Sequence, residues 1–282
     1  MLDPLWEPFT LGFMRRALAG CLALSVAAPP LGVFLVLRRM SLMSDVLQHG
    51  VLPGIALGAI FAGLSVWAMG LGGIIAGLAV AVMAGWLARR TGGKEDSQLA
   101  GMYLVALAAG VALISMQRSI DLTHLLFGNV LAVDDPALIA MAAASTITLL
   151  VLSLIWRPLV LESLDPGFVA ATGGRGGLWH FLFLTLVVLC VVSGFVALGT
   201  LMAVGLMMLP AIAARHWSDS LAGQVRAAVL LACLSSFGGL VASFNLDIPA
   251  GPAIVLTAGA FWGISLLAGP RAGLWRQAIP DA

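Results

Sequence analysis

Asp45 and His49 close a polar stretch, Arg38–His49, and have the types and spacing for metal chemistry. Four residues apart on a helix, they share one face and lie one turn from each other. A carboxylate oxygen beside an imidazole nitrogen is a donor set for Zn²⁺ or Mn²⁺. A charge placed toward a membrane interior is costly and is usually retained for a pathway or a site. The competing reading puts Asp45 in the interface as a helix cap, with His49 merely packed. Such pairs also arise by accident, so spacing alone leaves both readings open.

A second group of candidate ligands, Asp121, His124, Asp134 and Asp135, falls between Arg118 and Pro136, in a stretch predicted to be an outer loop. It reads either as a mouth that attracts cations, or a dock for a metal-delivering protein, or as an ordinary solvated loop. His180 and His216 are expected at the cytoplasmic ends of spans as interfacial residues. Cys21, Cys190 and Cys233 are scattered through apolar segments without CxxC spacing and read as small core residues. No HExxH, GxSxG or intramembrane aspartate pair suggests an enzyme. Gly92-Gly93-Lys94 runs into Glu95 and lacks the frame of a phosphate-binding loop.

The elements that must position these residues follow from composition. Of 282 residues, 61% are hydrophobic and 10% charged, and mean hydropathy is +1.07. Soluble domains carry about 25% charge, so the surface of this chain must face lipid. The net charge of +1 gives no hint of a nucleic-acid partner. Ala17–Leu37, Ser97–Gln117, Pro136–Trp156, Ala227–Leu246 and Ile248–Pro270 are each about one span, roughly 20 residues for a ~30 Å core. Val46–Ala88 and Gly176–Ala214 are each about twice that and should fold back as two. The expectation is an all-α, polytopic helix bundle of nine transmembrane helices, with eight possible, forming a single domain over residues 1–282. The first span is expected to serve as its own insertion signal.

With the C-terminus in the cytoplasm and the N-terminus outside, eleven of the 14 Lys and Arg residues fall on the inner side, as the positive-inside rule requires. Only Arg15, Arg16 and Arg118 stay outside. Pro29-Pro30, Pro53 and Pro210 sit within spans, where proline interrupts the hydrogen-bond ladder. Helices broken in this way within a membrane belong next to a cavity or under protein cover. Leu52–Ala56 (LPGIA) and Leu209–Ala213 (LPAIA) are faintly alike, in the manner of transporter half-repeats.

The run Arg38–Gly54 (RRMSLMSDVLQHGVLPG) closely resembles the signature of the permeases of metal-ion ATP-binding-cassette importers, usually RRMSLMGDALSHAVLPG. Three further blocks are similar to that family in the same order: Leu126–Val133 (LFGNVLAV), Leu164–Gly173 (LDPGFVAATG) and Asp247–Leu256 (DIPAGPAIVL). The resemblance is nearly full-length. It implies a type II importer permease in a bacterial plasma (inner) membrane, with Asp45 and His49 as the metal pair on the pathway. Its departures from the pattern include Ser44, Gln48 and Gly50, and Gln48 puts an amide where a serine hydroxyl is usual. It also implies a short cytoplasmic coupling helix at about 164–173, in which Leu164, Asp165, Pro166, Phe168 and Val169 face an ATPase. Asp165 as N-cap, Pro166 at the first position and Gly173-Gly174 as stop suit such a helix. A helix resting on lipid headgroups is the other reading.

The resemblance further implies a separate ATPase chain, an extracytoplasmic metal-binding protein and a second permease copy as partners. The chain itself is expected to be no enzyme and to hold no permanent cofactor, with Zn²⁺ or Mn²⁺ as cargo. Affinity order leans slightly to zinc. An ion-coupled secondary metal transporter is the alternative, but it would need several intramembrane acids or a polar relay, and only Asp45 is a strong candidate.

Overall fold

The computed structural model describes residues 6–41, 43–63, 65–91, 95–116, 130–174 and 176–271. Every regular element among them is helical. Short 3-10 turns at Glu7–Thr10 and Val130–Ala132 accompany eleven α-helices. These are α1 (Gly12–Leu37), α2 (Met43–Gly50), α3 (Leu52–Ala62), α4 (Val66–Thr91), α5 (Glu95–Ser115) and α6 (Asp135–Leu164). The short α7 (Pro166–Ala171) is followed by α8 (Gly176–Leu198), α9 (Thr200–Ala214), α10 (Leu221–Leu246) and α11 (Ala250–Ala268). Among the described residues seven helical stretches are long and apolar enough to cross a membrane, α2 and α3 together counting as one. Gly101–Ser115 and Thr200–Ala214 are shorter apolar helices. The seven and the two match the nine segments expected from hydropathy.

α1 and α8 occupy the centre. Helices α2–α5 gather on one side of them and α9–α11 on the other, with α6 against both central helices. The most apolar window of α1 is 78% buried, so this span faces protein and hardly any lipid. Large apolar side chains elsewhere point outward. Phe61 is 84% exposed, Leu154 80% and Val105 72%, the pattern of a bundle whose solvent is hydrocarbon.

Two of the three expected proline breaks do not occur. α1 runs unbroken through Pro29-Pro30, and α9 through Pro210. Both stretches are buried among neighbouring helices, which shield the freed carbonyls from lipid. Only Pro53 coincides with an interruption, at Val51 between α2 and α3. Beyond it, Gly54 and Gly72 meet backbone to backbone, and a Cβ on either would strike the other's carbonyl. This contact seats α3 on α4 as small residues do in membrane bundles.

α1 ends in a full Schellman motif. The Arg39 amide donates to the Val36 carbonyl at 3.1 Å and the Met40 amide to the Leu35 carbonyl at 2.8 Å. Arg39 takes the left-handed conformation, φ 60°, where glycine is usual. Asp247, φ 52°, caps α10 in the same conformation and turns the chain before the last span.

Candidate functional site

α2 is a two-turn helix packed against α5, α8, α4 and α9. Met43 and Leu47 are fully buried and anchor it. The same helix turns Asp45 and His49 to a more open side, with side chains 54% and 23% exposed. Asp45 Oδ1 lies 3.7 Å from His49 Nε2. Two donors each about 2.1 Å from a shared ion are at most about 4.2 Å apart, so one ion fits between these atoms without moving the backbone. The ring of Tyr103, on α5, lies against the His49 ring with centroids 5.6 Å apart and closes one side.

Two features loosen this pair. His49 Nδ1 is buried and has no hydrogen-bond partner, whereas resident metal sites orient the ligating ring through its second nitrogen. Pro53, four residues after His49, has no N–H to give to the His49 carbonyl. That oxygen is left without its helical donor. A carboxylate and an imidazole whose second nitrogen is unanchored make a weakly organised set of donors. Such a set lets an ion enter and leave, as conduction requires. No group of three or more His, Cys, Asp or Glu side chains gathers to hold an ion among the described residues.

Gln48 adds a feature absent from the signature. It is 4% exposed and its Oε1 has no partner; Ser44 Oγ, one turn earlier, is in the same condition. Ser44 and Gln48 thus form a second i,i+4 pair on α2, turned inward beside the first.

The outer candidates separate. Asp121 and His124 lie outside the described residues. Asp134 is the N-cap of α6, its Oδ1 accepting from the Ala137 amide at 3.0 Å. Asp135 pairs with Arg16 at 3.3 Å. Beside them a cavity of about 800 Å³ is bordered by Arg15, Arg16 and Asp134, so two cations border this mouth along with the acid.

At the opposite end, Asp165 caps α7 through the Phe168 amide at 2.8 Å. α7 spans Pro166–Ala171, within the 164–173 expected. Gly173, φ 73°, and the Gly174 amide bonding back to the Val169 carbonyl at 2.8 Å stop it. Leu164 and Phe168 stand out, 67% and 56% exposed. Val169 is half-buried against Gly174 and Gly176.

Sequence reasoning missed Arg38. Its Nε donates to Ser163 Oγ and its Nη1 to His180 Nδ1, both at 2.9 Å. Nη2 pairs with Glu162, and the guanidinium lies over the Phe183 ring, 4.7 Å from the centroid. His180, expected to be merely interfacial, therefore belongs to a network. The partners of Arg38 lie more than a hundred residues from it in sequence, and the only local hint was an acid, Glu162, at the end of a long apolar helix.

Residues 10–269 match the ABC 3 transport family. The chain is 34% identical to the manganese import system permease protein ScaB of Streptococcus parasanguinis, over 92% of this chain and 91% of that one. It is 31% identical to a probable iron transport system membrane protein of Haemophilus influenzae, over 94% of this chain and 97% of the relative. Among solved structures it superposes on PsaBC from Streptococcus pneumoniae in complex with Fab, with a TM-score of 0.87, 29% identity, and 99% and 100% of the two chains covered. With these likenesses running almost end to end over an all-helical, lipid-facing bundle, the chain belongs to the ABC 3 transport family, as a multi-pass permease subunit and not an enzyme, its ATPase being a separate chain.

Proposed function

We propose that this chain forms the membrane pathway of an ATP-driven importer for a divalent transition-metal ion, and that Asp45 and His49 bind the ion in transit. The 3.7 Å separation of Asp45 Oδ1 and His49 Nε2 on an interrupted helix carries the reading. An extracytoplasmic binding protein hands the ion in, the pair replaces part of its hydration shell, and ATP-driven closure of the nucleotide-binding subunits moves α7 and opens the path inward. Two copies of the chain enclose the pathway, and the end of α1 at Arg38 faces the cytoplasm together with α7 and the C-terminus. The density of Lys and Arg on that side supports this orientation.

Manganese is the favoured cargo. Relatives named for manganese transport support it, and a carboxylate oxygen suits that ion. The slight lean to zinc came from affinity order, which favours zinc at nearly any such site and so discriminates little.

Uptake of radiolabelled manganese by membrane vesicles containing the assembled transporter tests the reading. Asp45→Ala and His49→Ala should each abolish ATP-dependent uptake while the permease still inserts and binds its ATPase. Normal uptake in both variants would remove this pair from the pathway. Uptake that persists without any ATPase would replace the importer reading with an ion-coupled one.

A further inference from the structure

We propose that Arg38 is a positioning residue that ties the base of the ATPase-facing helix α7 to the segment bearing the Asp45–His49 pair. The inference rests on the functional reading above. Two elements converge on this side chain, which is only 7% exposed, and a third carries it. Glu162 and Ser163 come from the last turn of α6, immediately before α7 begins at Pro166. His180 and Phe183 come from the first two turns of α8. Arg38 itself is the C-cap of α1. Ser163 Oγ, which accepts from Arg38, donates in turn to the Leu159 carbonyl at 2.6 Å, so the guanidinium is braced against the α6 backbone as well.

The geometry suits transmission. A planar fork holding a carboxylate, a hydroxyl and an imidazole at once fixes direction as well as distance, which an ammonium on a flexible stem does not. The positive charge also lies at the C-terminal end of α6, the negative end of its dipole. Toward the metal pair the connection is equally short. Arg39 and Met40 close the Schellman turn, the Met43 amide donates to the Met40 carbonyl at 3.0 Å, and α2 begins at Met43. From Glu162 to Asp45 the path is therefore one buried ion pair followed by seven residues of chain, most of it held in a hydrogen-bonded turn. α7 is itself bound to α6 through the Asp165 cap. A displacement of α7 drags the end of α6, and through Arg38 the start of α2.

A merely structural ion pair predicts something different. Its loss would lower the yield or stability of the permease and reduce uptake and ATP hydrolysis in proportion to the folded protein remaining. A positioning role predicts that ATP hydrolysis continues in assembled complexes while fewer ions cross per ATP.

The test uses the complete transporter, permease with its ATPase and binding protein, reconstituted in proteoliposomes, with manganese uptake and ATP hydrolysis measured on the same sample. Arg38→Met and Glu162→Gln should each transport roughly tenfold fewer ions per ATP, the scale of ordinary coupling between sites. Arg38→Lys, which keeps the charge against Glu162, should recover part of that loss. Asp45→Ala serves as the reference for the pathway itself. An unchanged ion-to-ATP ratio in Glu162→Gln or Arg38→Met, beside abolished uptake in Asp45→Ala, overturns the role of Arg38 and leaves the pathway reading intact. Normal uptake in Asp45→Ala overturns the pathway reading instead. If Arg38→Met fails to assemble, Glu162→Gln and Arg38→Lys are read alone; failure of all three to assemble marks a purely structural contact and also overturns the inference.

Discussion

Ser25 of α1 and Ser236 of α10 share a hydrogen bond of 2.8 Å in the buried centre of the bundle, and Ser25 also donates to the Ala232 carbonyl at 3.3 Å. Both side chains are completely enclosed. Ser25 stands four residues before Pro29, whose missing N–H also leaves the Ser25 carbonyl without its helical donor. Polar contacts between membrane helices contribute about 0.6 kcal/mol on average. Ser25→Ala and Ser236→Ala should each destabilise the permease by about that much, and the double variant by less than the sum, because they remove one shared contact. Unfolding in mixed detergent micelles, followed by circular dichroism, gives the three values.

Pro53 frees the His49 carbonyl. Pro53→Ala would return an amide to the ladder and let α2 and α3 run on as one regular helix. Manganese uptake should fall several-fold while thermal stability is unchanged or higher. Equal uptake in the variant and the parent would show that the interruption between α2 and α3 is not needed for transport.

Gln48 buries an amide oxygen with no partner, a condition that costs about 1–3 kcal/mol. Gln48→Met fills nearly the same volume without the polar group. It should raise the thermal stability of the purified permease by about 1 kcal/mol, read as a higher unfolding midpoint. A lower midpoint would mean that the amide has a partner in the assembled protein.

α7 offers a paired comparison. Phe168 is exposed and caps nothing, so Phe168→Ala should leave the stability of the isolated permease unchanged while weakening binding of the ATPase, measured by co-purification and by ATP hydrolysis in the complex. Asp165→Ala removes the N-cap and should cost about 1 kcal/mol of local helix stability. That variant should show faster hydrogen exchange over Pro166–Ala171 before any loss of assembly is seen.

The helical bundle was legible because span length and charge exclusion are properties of single segments. The proximity of Asp45 and His49 was legible because their spacing is local, and the helix α7 because cap, proline and stop glycine all fall within ten residues. Pro29-Pro30 and Pro210 misled for the complementary reason. Whether a proline breaks a membrane helix depends on what encloses it, and the enclosing helices are distant in sequence. Arg38 was hidden in the same way, since Glu162, Ser163 and His180 reach it only through tertiary packing. Asp134 and Asp135 looked like free acids, yet one is a helix cap and the other meets Arg16, an arginine that hydropathy left outside the first span.

The sharp corner between α1 and α2 has an electrical consequence. His49 is six residues beyond the start of α2 at Met43, about 9 Å along the helix axis at about 1.5 Å per residue. If α2 starts at the edge of a hydrocarbon core about 30 Å thick and runs along its normal, Asp45 lies about 3 Å and His49 about 9 Å in, no more than roughly a third of the way from the Arg38 end. Under the proposed orientation, an ion arriving from outside has already crossed at least about two-thirds of the membrane field when it reaches Asp45 and His49. At about 2.3 kcal/mol per elementary charge per 100 mV, a divalent cation gains at least about 3 kcal/mol over that distance for each 100 mV, interior negative. Occupancy of the site should therefore rise with membrane potential, and the voltage across the membrane helps to load a carrier that ATP then empties.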